Sequence, residues 1–154
     1  MQSFTYLSPT EVIFGKDTQN KVAECVRKYD GSRVLLVYGG GSVIRSGLLG
    51  QVRQVLADAG LACEEFGGVQ PNPTLEHAKK GIRSALEFQA DFLLGVGGGS
   101  VIDTAKAIAI GAANPTADIW DFWCRKATAT HALPTGAILT IPAAGSETSN
   151  SAVL

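Results

Sequence analysis

The hexapeptide Gly-Gly-Gly-Ser-Val-Ile occurs twice in this chain, at residues 39–44 and 97–102. Each copy follows an apolar run of strand length, Val34-Leu35-Leu36-Val37-Tyr38 in one case and Asp91-Phe92-Leu93-Leu94-Gly95-Val96 in the other. Each is followed by a segment with helical spacing, so each marks a strand, a glycine turn and a helix in that order. Strands that are apolar on both faces must be covered on both faces, which the intervening helices can do. The expected fold class is therefore α/β, an open doubly wound sheet of mostly parallel strands, Rossmann-like, in one domain spanning residues 1–154.

The spacing of the remaining residues fills in that frame. Phe4–Leu7 and Glu11–Gly15, separated by Ser8-Pro9-Thr10, predict an N-terminal edge hairpin. A helix is expected from Asp17 to Tyr29, with Asp17 or Thr18 as its cap, and a second over 43–59, with Leu48, Val52, Val55 and Leu56 on one face. A weaker strand follows at 61–66, then a helix at 74–89 capped by Thr74. The segment 101–113 is apolar almost all round apart from Asp103, Thr104 and Lys106, as suits a helix covered on more than one side. A last strand is expected at 135–141, while 117–123 is too short to assign.

Glycine accounts for 18 of 154 residues, roughly 12 % against a usual ~7 %, and much of the excess lies in the two repeats. Consecutive glycines let backbone approach a ligand that any Cβ would repel. The helix that follows presents unpaired N–H groups and the positive end of its dipole, and Ser42 or Ser100 at the expected N-cap adds a hydroxyl; such a site suits phosphate. Either loop alone could be only a close strand–helix crossing. Neither copy completes the dinucleotide fingerprint, because Ile44 and Ile102 replace its third glycine, and neither is a P-loop. Two copies together suit a ligand with two separated phosphate groups, such as NADP, with a pyrophosphate and a 2′-phosphate. Arg45 follows the first copy and suits a monophosphate; Asp103 follows the second, with Lys106 one turn on. That i, i+3 pair reads more simply as structural. No acid stands at Tyr38-Gly39-Gly40-Gly41-Ser42 to grip a ribose diol, which favours NADP over NAD.

Several classes are disfavoured. A net charge of −1 gives no basic footprint for nucleic acid. No apolar run reaches membrane-spanning length, and Met1-Gln2-Ser3-Phe4 does not open a secretory signal, so a cytoplasmic protein with no membrane partner is expected. Cys25, Cys63 and Cys124 form no C-x-x-C pair, and His77 and His131 form no ligand-spaced pair. Trp120 and Trp123 read as core or interface filler, and Asp118 and Asp121 as helix caps.

Four segments together resemble the iron-containing alcohol dehydrogenases: Gly97-Gly98-Gly99-Ser100-Val101-Ile102-Asp103-Thr104-Ala105-Lys106, Thr10–Lys16, Phe66–Thr74 and Leu139–Glu147; Tyr38-Gly39-Gly40-Gly41-Ser42-Val43 narrows the resemblance to their NADP-dependent butanol dehydrogenase and aldehyde reductase branch. The resemblance implies that Gly40, Gly41 and Ser42 receive the adenosine 2′-phosphate and that Gly97, Gly98, Gly99 and Ser100 cradle the pyrophosphate. It implies that Asp103 lies near the nicotinamide, that Asn72 lines the adenosine pocket, and that Thr140 and Ser149 contact the cofactor. Ala144 stands where the family often has threonine, which removes one hydroxyl contact. The resemblance further implies a homodimer and a second, helical domain holding iron or zinc through one aspartate and three histidines. None of those ligands precedes Leu154, so no catalytic or metal residue is expected in these 154 residues. The chain accordingly reads as the cofactor-binding half of an enzyme that moves hydride between NADP(H) and an alcohol or aldehyde, inactive alone. A nucleotide-binding module without chemistry and a lyase domain of the dehydroquinate-synthase type are the competing readings.

Overall fold

The computed structural model describes residues 3, 5 and 7–154. Four strands, β1 (Arg33–Gly39), β2 (Ala62–Val69), β3 (Phe92–Gly97) and β4 (Thr135–Leu139), form one sheet in the order β2-β1-β3-β4. All three pairings are parallel, with Tyr38 opposite Val96 and Gly97 opposite Leu139. The helices are α1 (Val22–Lys28), α2 (Ser42–Arg45), α3 (Leu48–Asp58), α4 (Leu75–Phe88), α5 (Gly99–Ala113) and α6 (Ile119–Trp123). The α/β class with helices wrapped round a parallel sheet is as the sequence predicts.

Residues of one strand alternate between the two faces, and the core divides accordingly. Val34 and Leu36 of β1 join Leu94 and Val96 of β3 under α1 and α3, around Val26, Val52 and Leu56. Leu35 and Val37 join Leu93 under α4 and α5, around Ala85, Ala105 and Ile108. Asp91 pins the start of β1 to that of β3: its Oδ1 accepts the N–H of Ser32 at 2.9 Å and of Arg33 at 2.7 Å, and its Oδ2 accepts the Ser32 hydroxyl at 2.5 Å. Burial pulls this carboxyl up, but those donors outweigh it and hold it below the ordinary aspartate value.

Helices α4 and α5 approach closely because each offers a glycine to the other's isoleucine. A Cβ on Gly81 would stand 2.7 Å from Ile108 Cγ1, and one on Gly111 would stand 2.6 Å from Ile82 Cγ1. Gly111→Val should therefore destabilise by about 2 kcal/mol through overpacking. A urea titration should show a lower midpoint at unchanged slope.

Four expectations need correction. Among the described residues of the proposed hairpin, Leu7 and Glu11–Gly15 carry no strand, while Phe4 and Tyr6 lie outside the described residues. Leu7, Val12 and Phe14 are 81 %, 66 % and 97 % exposed; an alternating pattern makes a strand only where a sheet face is there to cover it, and an isolated hairpin is marginal in water. The helix expected over 43–59 is broken between α2 and α3 because Gly47 takes φ 78°, a left-handed conformation that ends one helical turn and redirects the next. Neither Asp17 nor Thr18 caps α1: Asp17 precedes a 3-10 turn, Thr18–Lys21, without a capping bond, and the Thr18 hydroxyl donates to the Gly15 carbonyl. Ser42 and Ser100 are not N-caps, as developed below. Thr74 does cap α4, its Oγ1 accepting the His77 N–H at 3.3 Å. Among the described residues no helix is long and apolar enough to cross a membrane.

Candidate functional site

The chain leaves β1 for a strand on one side of it and returns, after α4, to β3 on the other side. The carboxyl ends of β1 and β3 are therefore where the direction of winding reverses, and a crevice opens at such a point. With Tyr38 opposite Val96, the two Gly-Gly-Gly-Ser segments start side by side on neighbouring strands.

Their glycines do different work. Gly97 is demanded by packing: its Cβ would stand 2.7 Å from Val101 Cγ2 and 3.0 Å from Val101 Cβ. Gly39 is similarly tight, with Val69 O at 3.3 Å and Val101 Cγ2 at 3.4 Å. Gly40 meets nothing within 4 Å, and Gly98 meets only Ile141 Cβ at 4.0 Å. At these two positions no protein atom requires glycine, so the space beside them is available to a ligand. Gly41 carries the Arg45 guanidinium folded over it, with Arg45 Cζ 3.1 Å from a Cβ placed there.

The N-caps are Gly41 and Gly98, not the serines, and neither cap makes a side-chain bond. Gly98 is extended, φ −90° and ψ −170°, and its carbonyl accepts the N–H groups of Val101 at 3.0 Å and Ile102 at 3.2 Å. Residues 99 and 100 thus begin α5 two positions earlier than a serine cap would, and their amides have no helical carbonyl to receive them. Ser100 lies in the first turn with its carbonyl accepting the Thr104 hydroxyl at 2.8 Å. α5 has 15 residues, long enough for a helix dipole at this end; α2 has only 4 and contributes little of that kind.

Thr140, just past β4, donates its N–H to the Gly97 carbonyl at 3.0 Å. Ser146 reaches the same place, its Oγ 3.4 Å from a Cβ built on Gly99, and is only 9 % exposed. Asp103 is 7 % exposed and its Oδ1 is buried without a hydrogen-bond partner among the described residues. An unsatisfied buried carboxylate oxygen is costly, and such a group invites a ligand. The structure thus gathers Gly40, Gly41, Ser42, Gly97, Gly98, Gly99, Ser100 and Thr140 at one edge of the sheet, with Asp103 one turn along α5. Asn72 lies in the loop after β2, at the same carboxyl edge, with φ 59°. Ser149 is half-buried, its hydroxyl 2.8 Å from that of Ser151. Ser146 and the true partners of Lys106 are what the sequence reading missed; the polar run Ser146–Ser151 was the available signal for the former.

Both acids of β2 are engaged: Glu64 accepts the Ser84 hydroxyl at 3.1 Å. Glu65 accepts the Tyr38 hydroxyl at 3.1 Å and pairs with Arg53 at 2.9 Å. Burial, then the Glu65 hydrogen bond, pushes the Tyr38 phenol up, so it stays protonated as the donor. The same ring excludes any side chain at Gly67, whose Cβ would stand 2.6 Å from Tyr38 Cζ.

A family model described as iron-containing alcohol dehydrogenase matches residues 9–154. The chain belongs to the iron-containing alcohol dehydrogenase family. It is 47 % identical over 154 residues to a probable NADH-dependent butanol dehydrogenase of Bacillus subtilis, covering 100 % of this chain and 39 % of that one. It is 40 % identical over 156 residues to the NADPH-dependent aldehyde reductase YqhD of Escherichia coli, with the same coverage. The crystal structure of NADH-dependent butanol dehydrogenase A from Thermotoga maritima superposes with a TM-score of 0.90 at 39 % identity, over 94 % of this chain and 36 % of that one. The chain therefore spans about two fifths of the length of these family members. Among the described residues no three His, Cys, Asp or Glu side chains gather to hold a metal ion.

Proposed function

We propose that this chain is the cofactor-binding part of an alcohol dehydrogenase or aldehyde reductase and that it binds NADP across the two glycine loops. The observation that carries the reading is the open space beside Gly40 and Gly98, on neighbouring strands at the point where the winding reverses. The pyrophosphate would sit against the first amides of α5, at Gly99 and Ser100, where the dipole of a long helix favours negative charge. The 2′-phosphate would sit against Gly40, Gly41 and Ser42, with Arg45 supplying a positive charge. Asn72, Thr140 and Ser149 would border the same ligand. Bound there, the cofactor would supply hydride transfer through its nicotinamide; these residues would hold its adenosine and phosphate end, with Asp103 toward the nicotinamide.

NADP is preferred over NAD because no acid stands within Tyr38-Gly39-Gly40-Gly41-Ser42 to take a ribose diol, and Glu65 is held by Arg53 and Tyr38. Relatives of both cofactor names exist, so the preference rests on these side chains. The alcohol or aldehyde, the metal and a homodimeric assembly belong to the whole enzyme, and the chain alone should show negligible turnover. Calorimetry of the 154-residue chain with NADP and NAD tests the reading: micromolar NADP binding, tighter than NAD, is expected. No binding of either at millimolar concentration would overturn it in favour of a module that lacks a complete pocket.

The unpaired carboxylate of Asp103 makes a second prediction. If it is kept for a ligand and not for stability, Asp103→Ala should raise the stability of the free chain by about 1 kcal/mol, by removing an unsatisfied buried oxygen and adding a strong helix former. The same change should weaken NADP about tenfold. Thermal scans with and without NADP read both effects.

A further inference from the structure

Lys106 lies one turn beyond Asp103 on α5, yet it takes part in none of the ion pairs of the described residues. Its ammonium donates to three backbone carbonyls instead, those of Ser146 at 2.5 Å, Ser149 at 2.7 Å and Ser151 at 2.9 Å. Three is the full donor capacity of an ammonium group. The simple i, i+3 pair that the sequence suggests is thus replaced by a clamp on a segment forty and more residues away.

That segment has little else to hold it. It lacks helix and strand, and its own bonds are local: Thr148 and Ser149 donate to the Gly145 carbonyl, each at 3.1 Å, and Ser151 N–H donates to Ser149 Oγ at 3.1 Å. The other long-range polar attachments stand outside the clamped stretch, at Thr140 N–H to Gly97 O and at Trp123 Nε1 to Ala152 O, 3.1 Å. Between them the chain must be brought back over the start of α5 for Ser146 to reach Gly99.

We propose that Lys106 is a positioning residue that pins residues 146–151 over the first turn of α5, placing Ser146 and Ser149 at the cofactor cradle. By spending its donors on carbonyls, it also leaves Asp103 unpaired. The assignment rests on the dinucleotide reading above. Charge is the reason a lysine serves here: hydrogen bonds from an ionised donor are stronger than neutral ones, and three of them converge at a half-buried point.

Two measurements on the 154-residue chain test it: the rate at which a glutamyl endopeptidase cuts after Glu147, followed by mass spectrometry, and the Kd for NADP by calorimetry. Lys106→Met, similar in length but without donors, should speed cleavage at Glu147 about tenfold and raise the Kd by about 10- to 30-fold. Lys106→Arg should keep both within about threefold, because it retains charge and donors. Gly111→Val, destabilised at the α4–α5 contact with Ile82 and not at the clamped carbonyls, should leave the Kd unchanged at a temperature where it is folded. Should Lys106→Met fail to fold, Lys106→Gln reads the same two quantities. Unchanged cleavage overturns the clamp, and faster cleavage with an unchanged Kd overturns the positioning role. A Gly111→Val Kd as weak as that of Lys106→Met would reduce the effect to general stability and overturn it as well. If the unaltered chain binds no NADP, the dinucleotide reading itself fails and the role at the cradle with it; normal binding by the unaltered chain with normal binding by Lys106→Met sinks this proposal alone.

Discussion

Replacing Gly98 by valine should leave the fold intact and raise the Kd for NADP and NAD alike by about 100-fold. The backbone at Gly98, φ −90° and ψ −170°, lies in a region any residue adopts, so the substitution brings no strain. The added Cβ meets nothing closer than Ile141 Cβ at 4.0 Å, and because valine caps a helix less well than glycine the loss of stability should be about 0.5–1 kcal/mol. What the valine would occupy is the space in front of the Gly99 and Ser100 amides, where a phosphate must come to accept their hydrogen bonds. Gly97 would be the wrong residue for this experiment. A Cβ there collides with Val101 at 2.7 Å, so lost binding could not be separated from lost folding. Thermal scans paired with calorimetry on Gly98→Val make that separation, and an unchanged Kd in the folded variant would place the cofactor elsewhere.

Much of this was legible because local chemistry and tertiary demand agree. Val34–Val37 and Phe92–Val96 are apolar at every position but Gly95, and in the structure they are the two central strands, buried on both faces. Thr74 before an amphipathic run caps α4 as its side chain would in any helix. The failures come where the partner is distant or missing. The alternation of Val12 and Phe14 states a preference for a half-covered surface, and the described residues provide none, leaving Phe14 97 % exposed. The serines after the glycines look like caps by residue type, but Gly98 can carry the extended turn into α5 itself, which moves the helix start ahead of Ser100. Lys106 is the clearest case. Its nearest acid along the helix is Asp103, a reasonable partner by spacing, whereas its actual partners are carbonyls that no periodicity announces. The meaning of the repeated hexapeptide depends on strand order in the same way, since only β1 beside β3 makes neighbours of its two copies.

The same division of labour between the two loops predicts that Ser42→Asp should weaken NADP by about 100-fold while changing NAD by no more than about threefold. Ser42 is exposed in the first turn of α2, and with 4 residues that helix has little dipole to hold a 2′-phosphate unaided. Selectivity at this end must then come from the side chains, the Ser42 hydroxyl and the Arg45 guanidinium folded over Gly41. An aspartate at position 42 acts against the phosphate twice. It places a negative charge beside the phosphate oxygens, and it lies three residues before Arg45 on the same helix face, where it would draw the guanidinium into an ion pair. A ribose with a free 2′-hydroxyl meets neither penalty, and a carboxylate there can accept its hydrogen bond. The ratio of the two Kd values, measured at fixed ionic strength because the phosphate contact is screened by salt, should therefore move toward NAD. Equal losses for both cofactors would mean that the first loop does not receive the 2′-phosphate, and that the two copies of Gly-Gly-Gly-Ser serve a single end of the ligand.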